Sequence, residues 1–226
     1  MNPIIRGFAL LSVMAAGCAR ADLTILQEIS SQDTPKSAMV TTTKWKGDKL
    51  RVDAGDKVSM ILDNKKGEIV SLMHEQKLAI PMSSAVQKMV AQLAGKAGKT
   101  PADSVQLQAT GRKDTIIGLP CEEVEGTISG QKTTIWITKE VPEYKQLTEQ
   151  LLALAPQLRE IQGPVAGNPD LQGMPVLTEI LATDGKKTTV RVQAISREPI
   201  ADSEFKIPDG YRKMDIPQIP GLPAGR

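Results

Sequence analysis

The sequence predicts an α+β fold, mainly β: a large curved antiparallel sheet with two helices packed on one face. Three observations predict it. Most of the 226 residues fall into short segments that alternate apolar with polar residues and stop at turn residues. Two stretches of helical period interrupt this run instead of alternating with it, which argues against a βαβ parallel sheet. Aromatic residues make up only 3% of the chain, so the core is aliphatic. The length fits a single domain, and no repeat of solenoid or propeller period is present.

Residues 1–21 read as a secretory signal peptide. Arg6 supplies the basic end, residues 7–17 form a short, mostly apolar run, and Ala19-Arg20-Ala21 is an A-x-A cleavage site before Asp22. The run is shorter than the roughly 20 residues that span a bilayer. A second reading takes Ala15-Ala16-Gly17-Cys18 as a lipoprotein box with Cys18 acylated. Lys and Arg number 28 against 26 Asp and Glu, and the excess is Arg6 and Arg20, so the mature chain is neutral. Neutrality and few aromatics argue against nucleic-acid binding.

In chain order, Leu23, Ile25, Gln27 and Ile29 share one face of an opening strand. Residues 39–46 form a Val- and Thr-rich strand that stops at Gly47-Asp48. Residues 49–53 alternate. Val58, Met60 and Leu62 share a face before the turn at Asn64-Lys65-Lys66-Gly67, and Ile69, Ser71 and Met73 continue beyond it. A short strand runs from Lys77 to Met82. The period then changes: Val86, Met89, Val90 and Leu93 lie at i, i+3, i+4, i+7, with Ser83 or Ser84 as cap and Gly95 as stop. Strands resume at Val105, Leu107 and Ala109, and residues 119–128 pair with 133–138 across a turn. A second helix starts after Pro142 with the stripe Tyr144, Leu147, Leu151, Leu154, Leu158 and Ile161, broken near Pro156. Residues 175–183 and 187–197 form a hairpin across Asp184-Gly185-Lys186. A proline-rich tail occupies 213–226, which leaves 22–212 as the one domain. Leu23, Ile25, Leu50, Val52, Leu107, Ile135, Ile137, Val190 and Val192 are the predicted core of the sheet.

No catalytic signature is complete. There is no G-x-S-x-G, P-loop or dinucleotide fingerprint, and one His, His74, would have to serve any triad. His74 with Glu75 lacks a second imidazole for a metal, so the sequence predicts no metal and no cofactor. Glu122, Glu123 and Glu125 beside Cys121 read as a solvated strand edge, and Lys49, Lys65-Lys66 and Lys186-Lys187 as edge protection. Cys121 reads as a buried apolar thiol. What remains is apolar surface. Segments 58–62, 69–73, 115–119 and 176–181 carry apolar residues on both faces, and Met39, Met60, Met73, Met82, Met89 and Met174 suit an adaptable lining. A Met-rich filled core is the plain reading. An acyl-chain or apolar-peptide cavity is the other.

Residues 44–53 (Lys-Trp-Lys-Gly-Asp-Lys-Leu-Arg-Val-Asp), 60–63, 67–72, 118–124 (Gly-Leu-Pro-Cys-Glu-Glu-Val) and 205–211 (Phe-Lys-Ile-Pro-Asp-Gly-Tyr) together resemble a domain-of-unknown-function family of secreted bacterial proteins. That family is similar to the LolA/LolB superfamily of periplasmic lipoprotein carriers. The resemblance implies an unclosed half-barrel with both helices over its concave face. It also implies a non-enzymatic, secreted or periplasmic protein that binds a lipid, a lipoprotein acyl chain or an apolar peptide. Met60, Met73 and Met82 would form the cavity floor. Val86, Met89, Val90 and Leu93, with Leu147, Leu151, Leu154 and Leu158, would form its roof. A structural or interaction component of the envelope, without a ligand, is the alternative.

Overall fold

The computed structural model describes residues 22–32, 38–82, 105–128, 130–154 and 172–214. Twelve strands form one unclosed sheet. They are β1 (Leu23–Ser31), β2 (Met39–Lys46), β3 (Lys49–Ala54), β4 (Val58–Asp63), β5 (Glu68–Met73), β6 (Leu78–Met82), β7 (Val105–Ile116), β8 (Leu119–Ile128), β9 (Gln131–Thr138), β10 (Met174–Leu181), β11 (Lys187–Ser196) and β12 (Arg212–Lys213). Their spatial order is β12-β6-β5-β4-β3-β2-β1-β11-β10-β9-β8-β7. Every pairing is antiparallel except the two-residue contact of β12 with β6. The chain thus meanders outward from β1 to β6, resumes at the opposite edge with β7 and meanders inward to β11, which closes the centre by pairing with β1.

Among the described residues there is one helix, α1 (Glu143–Leu154), not two. The predicted first helix, with Val86, Met89, Val90 and Leu93, lies outside the described residues, as does Leu158. The start of α1 follows the sequence signals: Pro142 precedes it and Glu143 places a carboxylate in the first turn. Its described residues end at Leu154, so the predicted break near Pro156 and Ile161 of the predicted stripe lie outside the described residues.

The sheet buries both faces of β4 and β5. On one face, Leu23, Trp45, Leu50, Leu62 and Ile69 pack with Leu147 of α1 in a single core that also takes in Val176, Val192 and Ile116. The indole Nε1 of Trp45 donates to Gln150 Oε1 at 2.8 Å, which ties α1 to β2. On the other face, Ile61, Leu72 and Ala79 pack against Ile200 and Phe205. These belong to a strap, residues 198–214, that leaves β11, makes a 3-10 turn at Asp202–Phe205 and ends as β12. Lys213 and Met214, assigned by sequence to the tail, are part of this strap: Arg212 N–H donates to Lys77 O and Met214 N–H to Ala79 O, both at 2.9 Å. Of the nine predicted core residues, Leu23, Ile25, Leu50, Ile135, Ile137 and Val192 are buried; Val52, Leu107 and Val190 are half-buried.

The edge strand β7 is interrupted. Ala109 pairs with Val124 and Lys113 with Glu122, so Thr110, Gly111 and Arg112 stand opposite Glu123 alone. This bulge aims Arg112 and Thr110 at the Glu123 carboxylate, which is only 3% exposed. The predicted solvated cluster is therefore corrected at one position. Glu122 is exposed and held below the usual carboxylate range by Lys139 and Lys113. Glu123 is buried and survives because the bulge supplies its guanidinium.

Candidate functional site

Strand register places two different surfaces back to back. The helix face carries a row of Val52, Met60, Ser71 and Ile80, and beside it a row of Ala54, Val58, Met73 and Leu78. Val58 is 39% and Met60 38% exposed, while Met73, Leu78 and Ile80 are half-buried. This apolar end of the sheet lies beyond the part that α1 covers. Of the predicted floor, Met60 and Met73 belong to this open end, whereas Met82 packs against the core under α1. Of the predicted roof, Leu147 is buried and Leu151 packs against the same core, so α1 sits directly on the sheet there. Leu154 is the last described residue of α1.

The strap face carries a polar network that sequence reading missed. Ser59 Oγ, on a residue 1% exposed, donates to Asp53 Oδ1 at 2.5 Å and lies 2.6 Å from His74 Nε2. His74 Nδ1 lies 2.5 Å from Tyr211 Oη on the strap. Arg51 donates from Nε to Asp53 Oδ1 (2.7 Å), from Nη1 to the Glu204 carbonyl (2.9 Å) and from Nη2 to Ser59 Oγ (3.3 Å). Lys44 adds an ion pair to Glu204 at 2.7 Å. The signal available in the sequence was the apolar–polar alternation itself: Arg51, Asp53 and Ser59 are polar residues pointing away from Leu50, Val52 and Met60, toward a face that is also covered.

Proton counting assigns this network. A carboxylate only accepts, so the single Ser59 hydroxyl proton goes to Asp53. The Nε2 of His74 must then carry the hydrogen that it shares with Ser59, and in the neutral ring Nδ1 accepts from Tyr211. Ser59, His74 and Asp53 have the residue types of a hydrolase triad, but the serine sits between the other two and the imidazole points N–H at it. The imidazole is therefore not placed to take the serine proton, which Asp53 accepts instead. The network instead fastens the strap, as a fully satisfied buried polar chain does. Nitrogen-detected NMR of the neutral His74 imidazole is expected to show the Nε2–H tautomer; an Nδ1–H tautomer would break the assignment.

Cys121 is buried and its Sγ donates to Leu119 O at 3.3 Å. Burial pushes the thiol pKa up, which disfavours the thiolate. The adjoining cleft, about 370 Å³, has Lys113, Glu122 and Lys139 on its walls. A second cleft, about 480 Å³, lies between the strap and β4–β5. Among the described residues no cluster of three or more His, Cys, Asp or Glu could hold a metal ion, and no helix is long and apolar enough to cross a membrane.

Residues 29–211 match a family described as a domain of unknown function, DUF4412. No curated protein matches the chain. Among solved structures it is similar to PNGF-II in two crystal forms, at 11% identity and a TM-score of 0.40, over 86% and 85% of this chain. It spans 31% and 30% of those chains. It is also similar to the LolA superfamily protein NE2245 from Nitrosomonas europaea at 8% identity and a TM-score of 0.28, over 82% of this chain and 89% of that one.

Proposed function

The chain belongs to the DUF4412 family, which assigns no chemistry, and from its own surfaces we propose a non-enzymatic envelope protein that holds an apolar ligand on the helix face. The ligand is a lipid, a lipoprotein acyl chain or an apolar peptide. The observation that carries this reading is the exposure of Val58 and Met60 among Met73, Leu78 and Ile80, on the same face as α1. Contiguous apolar surface of this kind marks binding sites more often than isolated exposed residues do. Methionine adds a lining that adapts to its guest. The sheet curves around α1 as an unclosed half-barrel. In support, one core links Ile69 on β5 to Ile116 on β7. Laid flat, those strands would lie about 40 Å apart, while the 12 residues of α1 extend about 18 Å. Cleavage after Ala21 delivers the protein to the periplasm or exterior; acylation of Cys18 would instead tether it to the envelope.

The filled core beneath Leu147 favours a second reading, a structural or interaction component without a ligand. An uncharged apolar fluorophore decides between them. The wild-type protein is expected to take it up, and Met60→Glu to abolish uptake without loss of fold, because Met60 is already partly exposed while an unpaired charge in an apolar site is costly. A wild-type protein that takes up no such fluorophore sinks the carrier reading and leaves the structural one.

A further inference from the structure

Burial divides the methionines of the described residues into two groups. Met174 is 0% exposed, and Met82 packs against the same core under α1. Met60 is 38% exposed, Met39 44% and Met214 45%, and Met73 is half-buried. Strand register puts this second group on one face. Met60 stands opposite Ser71, and Met73 lies two residues beyond Ser71 on β5. Ser71 is in turn opposite Ile80. Arg212 N–H donates to Lys77 O and Met214 N–H to Ala79 O, so Met214 stands beside Ile80 as Arg212 stands beside Leu78. Met60, Met73 and Met214 thus frame the apolar end of the helix face. Met39 shares the face, alternating with Thr41, Thr43 and Trp45 on β2, but lies beyond the row of Thr41, Ala54 and Val58.

We propose that this frame is a modification site: a peroxide converts Met60, Met73 and Met214 to sulfoxides and so releases the apolar ligand. The inference rests on the helix-face reading above and names the regulation of that same site. In the reaction each thioether sulfur takes one oxygen of hydrogen peroxide. The S–O bond forms as the O–O bond breaks. The proton on the transferred oxygen passes to the departing hydroxide, which leaves as water. Sulfur is oxidised by two electrons and the peroxide is reduced by two. A polar acceptor then stands where an apolar side chain stood, and an apolar ligand laid over it removes its water without supplying a donor. Methionine sulfoxide reductases reverse the step. Cys121 competes poorly for the oxidant: it is 2% exposed, and burial pushes its thiol pKa up, away from the reactive thiolate.

The test is graded oxidation of the full chain with hydrogen peroxide, followed by peptide mass mapping and titration with the uncharged fluorophore. Met60 and Met214 are expected to gain oxygen together with Met39, Met73 to follow, and Met174 to stay reduced. Uptake of the fluorophore should weaken about tenfold, the scale of burying one polar group without a partner, while circular dichroism shows the fold kept. Partly oxidised protein is then separated on octyl-agarose, an uncharged apolar surface, and both fractions are mapped. Sulfoxide at Met60, Met73 and Met214 is expected to collect in the unbound fraction, and sulfoxide at Met39 to divide evenly. The proposal is overturned if Met174 oxidises as fast as Met60, if the oxidised protein takes up the fluorophore as before, or if sulfoxide at the three framing positions divides evenly as well. Uptake that is kept after oxidation sinks the modification site alone and leaves the helix-face reading standing. A protein that takes up no fluorophore before peroxide is added sinks both.

Discussion

Trp45→Ala is expected to lower the free energy of unfolding by about 3–5 kcal/mol, the range for deleting a large buried aromatic. Trp45 is 2% exposed and stands across from Leu23 on β1 and Leu50 on β3. It fills the space between three central strands and α1, and alanine would leave a cavity that neither side can close, because both are fixed by their own pairings. The variant also removes the indole donor from Gln150, whose remaining partner is Asn64 Nδ2 at 3.4 Å. Trp45→Phe separates the two losses: it restores most of the volume but not the donor, and should cost about 1–2 kcal/mol beyond the small volume change. Urea titrations followed by the fluorescence of Trp136 give both numbers. A midpoint unchanged by Trp45→Ala would mean that α1 does not pack on β2.

The strands were legible because alternation with a period of two survives wherever one face is drier than the other. The hairpin of β8 and β9 and that of β10 and β11 follow directly from residues 119–138 and 175–197. Helix α1 was legible from Pro142 and the Tyr144, Leu147, Leu151 spacing. The bulge in β7 was not: Thr110, Gly111 and Arg112 look like ordinary strand continuation, and only the need to neutralise Glu123 explains the insertion.

The site was half legible. Apolar residues on both faces of segments 58–62 and 69–73 are a correct signal, for which the sequence leaves a filled core and a cavity both open. The structure gives a filled core for half of it: Ile61 and Leu72 are apolar because the strap brings Ile200 and Phe205 against them. The pairing of His74 with Tyr211, 137 residues apart, has no local pattern at all. Such a contact depends on where the strap returns across the sheet, which is a tertiary fact.

Gly126→Ala is expected to be the second costly substitution, and the more local one. Gly126 lies within β8, opposite Leu107 on β7. A Cβ there would stand 1.7 Å from the Gln106 carbonyl oxygen, 2.7 Å from its carbon and 2.9 Å from Leu107 Cα. All three are backbone atoms, so no side-chain rotation can relieve the clash. One strand must move, and β7 is the one that can: it is an edge strand, held through β8 alone among the described strands, whereas β8 is also fixed by β9. Overpacking of this kind costs about 1–3 kcal/mol, and contact with main chain places the expected loss at the upper end or beyond. The damage should stop at the bulge, where Thr110, Gly111 and Arg112 already break the ladder. Amide exchange in Gly126→Ala is thus expected to speed up at Gln106, Leu107, Gln108 and Ala109 more than at Thr115 and Ile116. Gly130→Ala is the control, since a Cβ at that position would meet no atom within 4 Å and only the φ of +76° opposes the change; it should cost about 1 kcal/mol and leave β7 protected. Equal protection of β7 in wild type and Gly126→Ala would mean that the two strands are not as close as this register requires.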